Sequence, residues 1–211
     1  MAPLTASYVS GGSASLDLKP YANYLRAGSV MIAGLIIGLL VTVLSLNAGY
    51  GFNSLRAGPW TAWPHTGAAD IDPYARAVVA RSGEAPLGRD QGLAFIARTD
   101  SNGAPLNADC EYRIVDPLPS ARYWTIALAS PDGRLLANSA ERYGYSSVDV
   151  LRKEDGDFEI DVAREARPGN WLSPGEARDF VVMLRFYDTS LDIDSSPDPN
   201  SFPKIVKLGC A

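Results

Sequence analysis

With 24 acidic and 19 basic side chains among 211 residues, the chain carries a formal charge of −5. The first 57 residues sum to +2, so the remainder carries −7, which excludes the cationic surface that nucleic acid requires. A chain this long needs no more than one sizeable globular core.

Residues 1–27 form a small, polar leader centred on Gly11-Gly12-Ser13-Ala14-Ser15, a composition that buries too little apolar surface to order itself. Residues 28–46, GSVMIAGLIIGLLVTVLSL, follow without a charge. As a helix this run is ~28 Å long, close to the ~30 Å hydrocarbon thickness of a bilayer. Eleven of its nineteen residues are Leu, Ile or Val, so it is expected to be a transmembrane helix. A buried helix of a soluble core is one alternative, but such a helix usually carries some polar face; a cleaved signal peptide is the other, but the leader is long and Leu46-Asn47-Ala48 lacks the small residue expected three before a cut. The run therefore reads as an uncleaved, single-pass anchor. Lys19 and Arg26 precede it and Arg56 follows, which favours a cytoplasmic N-terminus and a periplasmic remainder. Gly34 and Gly38 form a GxxxG stripe on which a second helix could pack.

Residues 47–69 form a juxtamembrane connector, with Gly58-Pro59-Trp60 and Trp63-Pro64-His65 dense enough in Pro and Trp to be ordered. His65 is the only histidine and has no metal-ligand or triad partners in sequence. Residues 70–211 are expected to form the exported domain. It opens with a short helix over 72–83, where Asp72 fits an N-cap, Pro73 the first turn and Gly83 the stop, packed through Tyr74, Val78 and Val79.

From residue 92 the pattern changes to strands. The expected ones are 92–98, 110–115, 123–129, 146–152, 158–163, 179–187 and 204–208, separated by turns such as Ser101-Asn102-Gly103, Pro131-Asp132-Gly133 and Glu154-Asp155-Gly156-Asp157. Phe158-Ile160-Val162 and Phe180-Val182-Leu184-Phe186 alternate with other residues as half-buried strands do. The fold class implied is mainly β, an antiparallel, jelly-roll-like β-sandwich. Cys110 and Cys210, an even pair in an exported domain, read most simply as a disulfide, with two separate buried thiols as the alternative.

Several short motifs carry a family resemblance. Asp72-Pro73-Tyr74-Ala75-Arg76-Ala77, Arg122-Tyr123-Trp124-Thr125-Ile126 with Asp132-Gly133, and Pro168-Gly169-Asn170-Trp171-Leu172 resemble the family catalogued as domain of unknown function 1214. So do Gly58-Pro59-Trp60, Cys110-x-Tyr112 and Leu208-Gly209-Cys210, extending the resemblance over residues 57–211. It implies a β-sandwich, often behind an N-terminal apolar segment in bacteria, and no assigned activity. In longer proteins the family lies behind a domain similar to the one numbered 1254, which is absent here.

No HExxH, P-loop or Rossmann glycine pattern occurs, so no cofactor or metal is implied. The acidic stretch Asp192-Ile193-Asp194 through Asn200 lacks the glycine and closing Glu of a calcium loop and reads as solvated. Arg122, Tyr123, Trp124, Asn170 and Trp171 form the candidate ligand or partner patch, since aromatic and Arg side chains dominate binding energy. The function expected is a non-catalytic accessory or structural subunit of a bacterial membrane complex, touching other membrane subunits and the bilayer. The alternatives are a periplasmic binding module for a small or carbohydrate-like ligand and a carboxylate-dependent hydrolase.

Overall fold

A computed structural model describes residues 21–47, 54–64, 71, 73, 76, 77, 80, 87, 91–191 and 196–210. The chain divides into two units, residues 1–44 and 45–211. The first contains one described element, helix α1 (Ala22–Asn47), ANYLRAGSVMIAGLIIGLLVTVLSLN. Its 26 residues make it ~39 Å long. It outruns the uncharged stretch at the N-terminal end because Asn23, Tyr24, Leu25 and Arg26 are compatible with a helix although not with hydrocarbon. Within it, residues 22–45 are long and apolar enough to cross a membrane. Ser29 Oγ donates to the Arg26 carbonyl at 2.8 Å and Thr42 Oγ1 to the Gly38 carbonyl at 2.9 Å. Both hydroxyls are thereby satisfied within the helix.

The second unit is mainly β. Its strands are β1 (Leu55–Ala57), β2 (Trp60–Ala62), β3 (Gly92–Ala97), β4 (Cys110–Val115), β5 (Ala121–Ala129), β6 (Gly144–Ser146), β7 (Glu159–Val162), β8 (Trp171–Leu172), β9 (Val181–Thr189) and β10 (Lys204–Cys210). Six strands form one antiparallel sheet in the order β1-β2-β3-β9-β5-β6, and four form a second in the order β10-β4-β7-β8. The second sheet is mixed, because β8 joins β7 in parallel through Asp161↔Trp171 and Val162↔Leu172. Strand β9 is the middle of the larger sheet, flanked by β3 and by β5.

Alternation of side chains decides what each face buries. On β9, Val182, Leu184 and Phe186 enter the main core, while Val181 and Met183 point to the other face and form a small cluster with Ala129 and Ile96. The main core joins the two sheets. Trp124 of β5 stacks on Phe158 beside β7 with ring centroids 5.0 Å apart, and Tyr112 of β4 meets Phe180 edge-on at 5.7 Å. Phe95, Phe186 and Phe202 form an edge-to-face triad with centroids 4.8 to 6.0 Å apart. Each of these rings is buried and contributes ~1.5–3 kcal/mol by leaving water.

Two expectations require correction in detail. The strand expected over 146–152 is instead β6, ending at Ser146, because the Asp149 carboxylate accepts from both the amide and the hydroxyl of Ser146 and folds 146–150 into a turn. The irregular connector contains the β1–β2 hairpin, in register from Leu55↔Ala62 to Ala57↔Trp60 around Gly58 at φ +60°. Of the expected short helix, Pro73, Arg76, Ala77 and Ala80 are helical, while Asp72, Tyr74, Val78, Val79 and Gly83 lie outside the described residues. His65, the leader before residue 21 and residues 192–195 of the acidic stretch also lie outside them.

Candidate functional site

The five residues of the expected patch do not meet on one surface. Strand pleating turns Trp124 inward, where it is 5% exposed and stacked on Phe158. Its neighbour Tyr123 turns outward and pairs across strands with Tyr187, ring centroids 5.7 Å apart. Arg122 is exposed and lies 3.7 Å from Asp188, an ion pair in full solvent. Asn170 is 6% exposed and fully engaged by backbone. Its Oδ1 accepts from the Leu151 amide at 2.7 Å, and its Nδ2 donates to the Leu151 and Glu159 carbonyls, both at 2.8 Å. Trp171 donates its Nε1–H to the Ala163 carbonyl at 2.9 Å and its backbone N–H to the Tyr145 hydroxyl at 3.0 Å. The Pro-Gly-Asn-Trp motif is thus a latch: Gly169 at φ +82° makes the turn that delivers Asn170 to three backbone groups.

Cys110 and Cys210 are bonded to each other, joining the first residue of β4 to the last of β10 across 100 residues of sequence. Beside the bridge is an open groove of about 500 Å³ lined by Asp109, Glu111, Arg164 and Glu165. Asp109, Glu111 and Arg164 already have partners. Arg164 donates to the carbonyls of Ala108, Gly175 and Ala177 and to Asp109 at 3.0 to 3.1 Å, and Arg167 pairs with Glu111. Arg164 therefore fastens the 108–109 and 175–177 segments together, which makes this groove a structural junction.

A smaller hollow, about 190 Å³, lies against the β1–β2 hairpin and the end of β3 and is lined by Arg56, Thr61, Trp63, Ile96, Arg98 and Thr99. None of these residues belongs to the expected patch. The alternation Leu55-Arg56-Ala57 around Gly58-Pro59 is the signal that marks this hairpin in sequence, with Arg56 outward between two inward residues.

The acids of the four-stranded sheet serve the fold. Arg113 on β4 reaches Asp161 on β7 at 2.7 Å through Nε and at 3.2 Å through Nη2, with Glu159 at 3.7 Å. The hydrogen bonds it donates to Asp161 hold the guanidinium above its ordinary pKa. Burial pushes the Asp116 carboxyl above its ordinary value, opposed by the hydrogen bond it accepts from the Phe158 amide at 2.7 Å. Burial also pushes Asp149 up, but the two hydrogen bonds from Ser146 outweigh it and leave Asp149 below its ordinary value. Among the described residues no three His, Cys, Asp or Glu side chains gather as metal ligands.

In α1, a Cβ added to Gly34 or Gly38 meets nothing within 4 Å, so the stripe is open along this face.

Residues 91–191 match the model of a family described as a protein of unknown function, DUF1214. No curated protein matches the chain. The crystal structure of the VPA0106 protein from Vibrio parahaemolyticus is similar, with 18% identity and a TM-score of 0.49, over 66% of this chain and 36% of that one. An uncharacterised protein from Burkholderia cenocepacia is similar, with 18% identity and a TM-score of 0.45, over 80% of this chain and 40% of that one. This chain thus spans well under half the length of either protein.

Proposed function

We propose, from the premise that residues 91–191 of this chain are a DUF1214 domain, that the protein is an accessory or structural subunit of a larger bacterial membrane assembly. In this reading α1 crosses the inner membrane once with its N-terminus in the cytoplasm, and the β domain makes protein contacts in the periplasm. One observation carries it. The large apolar side chains of α1 from Val30 to Leu44 are all exposed, so among the described residues nothing apolar covers this helix. Lipid supplies that cover on most faces, and the open Gly34–Gly38 stripe suits a partner helix on one. The Cys110–Cys210 bond supports an oxidising compartment for the domain, and the −7 charge beyond residue 57 suits soluble or protein surroundings rather than nucleic acid.

The test is purification of the intact tagged chain in mild detergent, followed by sizing. The reading expects stoichiometric companions that are lost when Gly34 and Gly38 are both replaced by Leu. A lone monomer in the wild-type preparation, or companions unchanged in the double variant, would remove the subunit role assigned to the helix. A C-terminal tag that a protease reaches only from the cytoplasmic side would reverse the orientation.

A further inference from the structure

The two ends of the Cys110–Cys210 bridge are held very differently. Cys110 is 8% exposed and belongs to the main core, and its amide donates to the Asn107 carbonyl at 3.1 Å. Cys210 is exposed, at the end of the edge strand β10. Of the seven residues of β10 only Ile205 is buried. Ile205 is also tied on its outer side to Ser101, whose amide donates to the Ile205 carbonyl and whose Oγ accepts from the Ile205 amide, both at 2.9 Å. Beyond it no side chain of β10 enters the core: Val206 and Leu208 are exposed, and the register slips between Lys207 and Gly209. Residues 206–210 therefore stay in place through the ladder to β4 and through the disulfide, which alone fastens their side chains to the core.

The bridge is also reachable. Both cysteines line the open groove of about 500 Å³, within the ~300–1,000 Å³ range of clefts that admit a ligand. Gly209, beside Cys210, has open space where a side chain would be. Exposed disulfides are the labile and regulatory ones, because exchange needs a thiolate to reach a sulfur.

We infer that the Cys110–Cys210 bridge is a site of thiol–disulfide exchange with a dithiol, and that its reduction releases residues 206–210 as a strap. The incoming thiolate attacks the sulfur of Cys210 and forms a new S–S bond there. The Cys110–Cys210 bond breaks, and its electron pair leaves on Cys110, which takes a proton from water. Cys110 lies opposite Cys210 in the ladder, so its thiol remains beside the mixed disulfide and expels a monothiol. A dithiol escapes that return, because its second thiol attacks its own bonded sulfur and frees Cys210 as a thiol. Two electrons pass in all: the bridge becomes two thiols and the dithiol becomes a disulfide. The exchange goes beyond the subunit reading and uses no part of it.

The experiment uses the full chain in detergent micelles. Dithiothreitol should reduce the bridge without denaturant, at a rate proportional to its concentration and unchanged by urea well below the unfolding midpoint. Glutathione at the same thiol concentration should leave little net reduction, and mass spectrometry of acid-quenched samples should find the transient glutathione on Cys210. After reduction, hydrogen exchange should show residues 206–210 losing amide protection while β3, β5 and β9 keep theirs. Reduction that waits for global unfolding overturns the exchange site. Glutathione on Cys110, or on neither cysteine, overturns the direction of attack, and net reduction by glutathione as fast as by dithiothreitol overturns the need for a dithiol. Protection unchanged at 206–210, or lost throughout the domain, overturns the strap. The kinetics are read on the oxidised chain, so they stand even where the reduced chain unfolds. Loss of the Gly34–Gly38 companions would leave every one of these readouts unaltered, so the two readings fail separately.

Discussion

Replacing Asn170 by Ala distinguishes a latch from a ligand contact. The side chain makes three hydrogen bonds, to the Leu151 amide, the Leu151 carbonyl and the Glu159 carbonyl. Each contributes ~1 kcal/mol net. Leu151 is 64% exposed, so water takes over part of its two bonds, whereas the Glu159 carbonyl lies where β7 runs beside β8 and is less easily rehydrated. The expected loss is about 2–3 kcal/mol. For the full chain in detergent micelles, urea unfolding followed by tryptophan fluorescence with a slope of ~1–3 kcal/mol/M should show the midpoint falling by about 1 M or more. Asn170→Asp should be no better, because its second oxygen would face the Leu151 and Glu159 carbonyls with nothing to donate. A midpoint within about 0.3 M of wild type at an unchanged slope would refute the latch and return Asn170 to the list of ligand contacts.

Alkylation before and after reduction should label no thiol and then two, and Cys110→Ser with Cys210→Ser should cost up to ~4.7 kcal/mol from the loop-closure entropy of the 100-residue separation, read by the same urea assay. Gly175→Ala should cost about 3 kcal/mol, since its Cβ would lie 2.1 Å from the Ala137 carbonyl oxygen at φ +59°, whereas Gly169→Ala, left-handed but in open space, should cost about 1 kcal/mol. Asp149 titrates below its ordinary value in the folded protein, so its stabilisation is present above pH ~4 and fades as the pH falls through the folded value. Asp149→Asn should therefore be less stable than wild type at pH 7, with the gap closing in acid; a gap that is constant with pH would count against the Ser146 contacts. Asp116 behaves oppositely: its raised pKa favours the folded state in acid and that advantage is lost as the pH rises, so Asp116→Asn should gain relative stability on going from pH 3 to pH 7.

The long strands were legible because their inward residues alternate without interruption, as in Phe180-Val182-Leu184-Phe186, and β4 begins and ends where the pattern says. Three short strands were not. A three-residue strand such as β1 or β2 carries too little periodicity to read, and β8 exists only because the Asn170 latch sets two residues beside β7. The 146–152 run shows the converse, where Val148 and Val150 imitate a strand but a single carboxylate at Asp149 turns the chain. Aromatic residues misled for a related reason. Sequence shows that Tyr123 and Trp124 are adjacent, but only the register of β5 against β9 shows that one faces solvent and the other Phe158. The hollow beside the hairpin depended on the same information, since Arg56 and Arg98 are 42 positions apart and meet only through the pairing of β1, β2 and β3.

The central position of β9 also bears on how the protein is made. Both of its neighbours, β3 and β5, leave the ribosome well before it does, so each waits with an unfilled edge until residues 181–189 emerge. Closing a sheet from the inside by a latecomer is slow, because distant segments must find one another before any pairing is rewarded. During synthesis the nascent domain is consequently sticky at its middle, and a chaperone that shields bare strand edges would act on the stretch from 92 to 129.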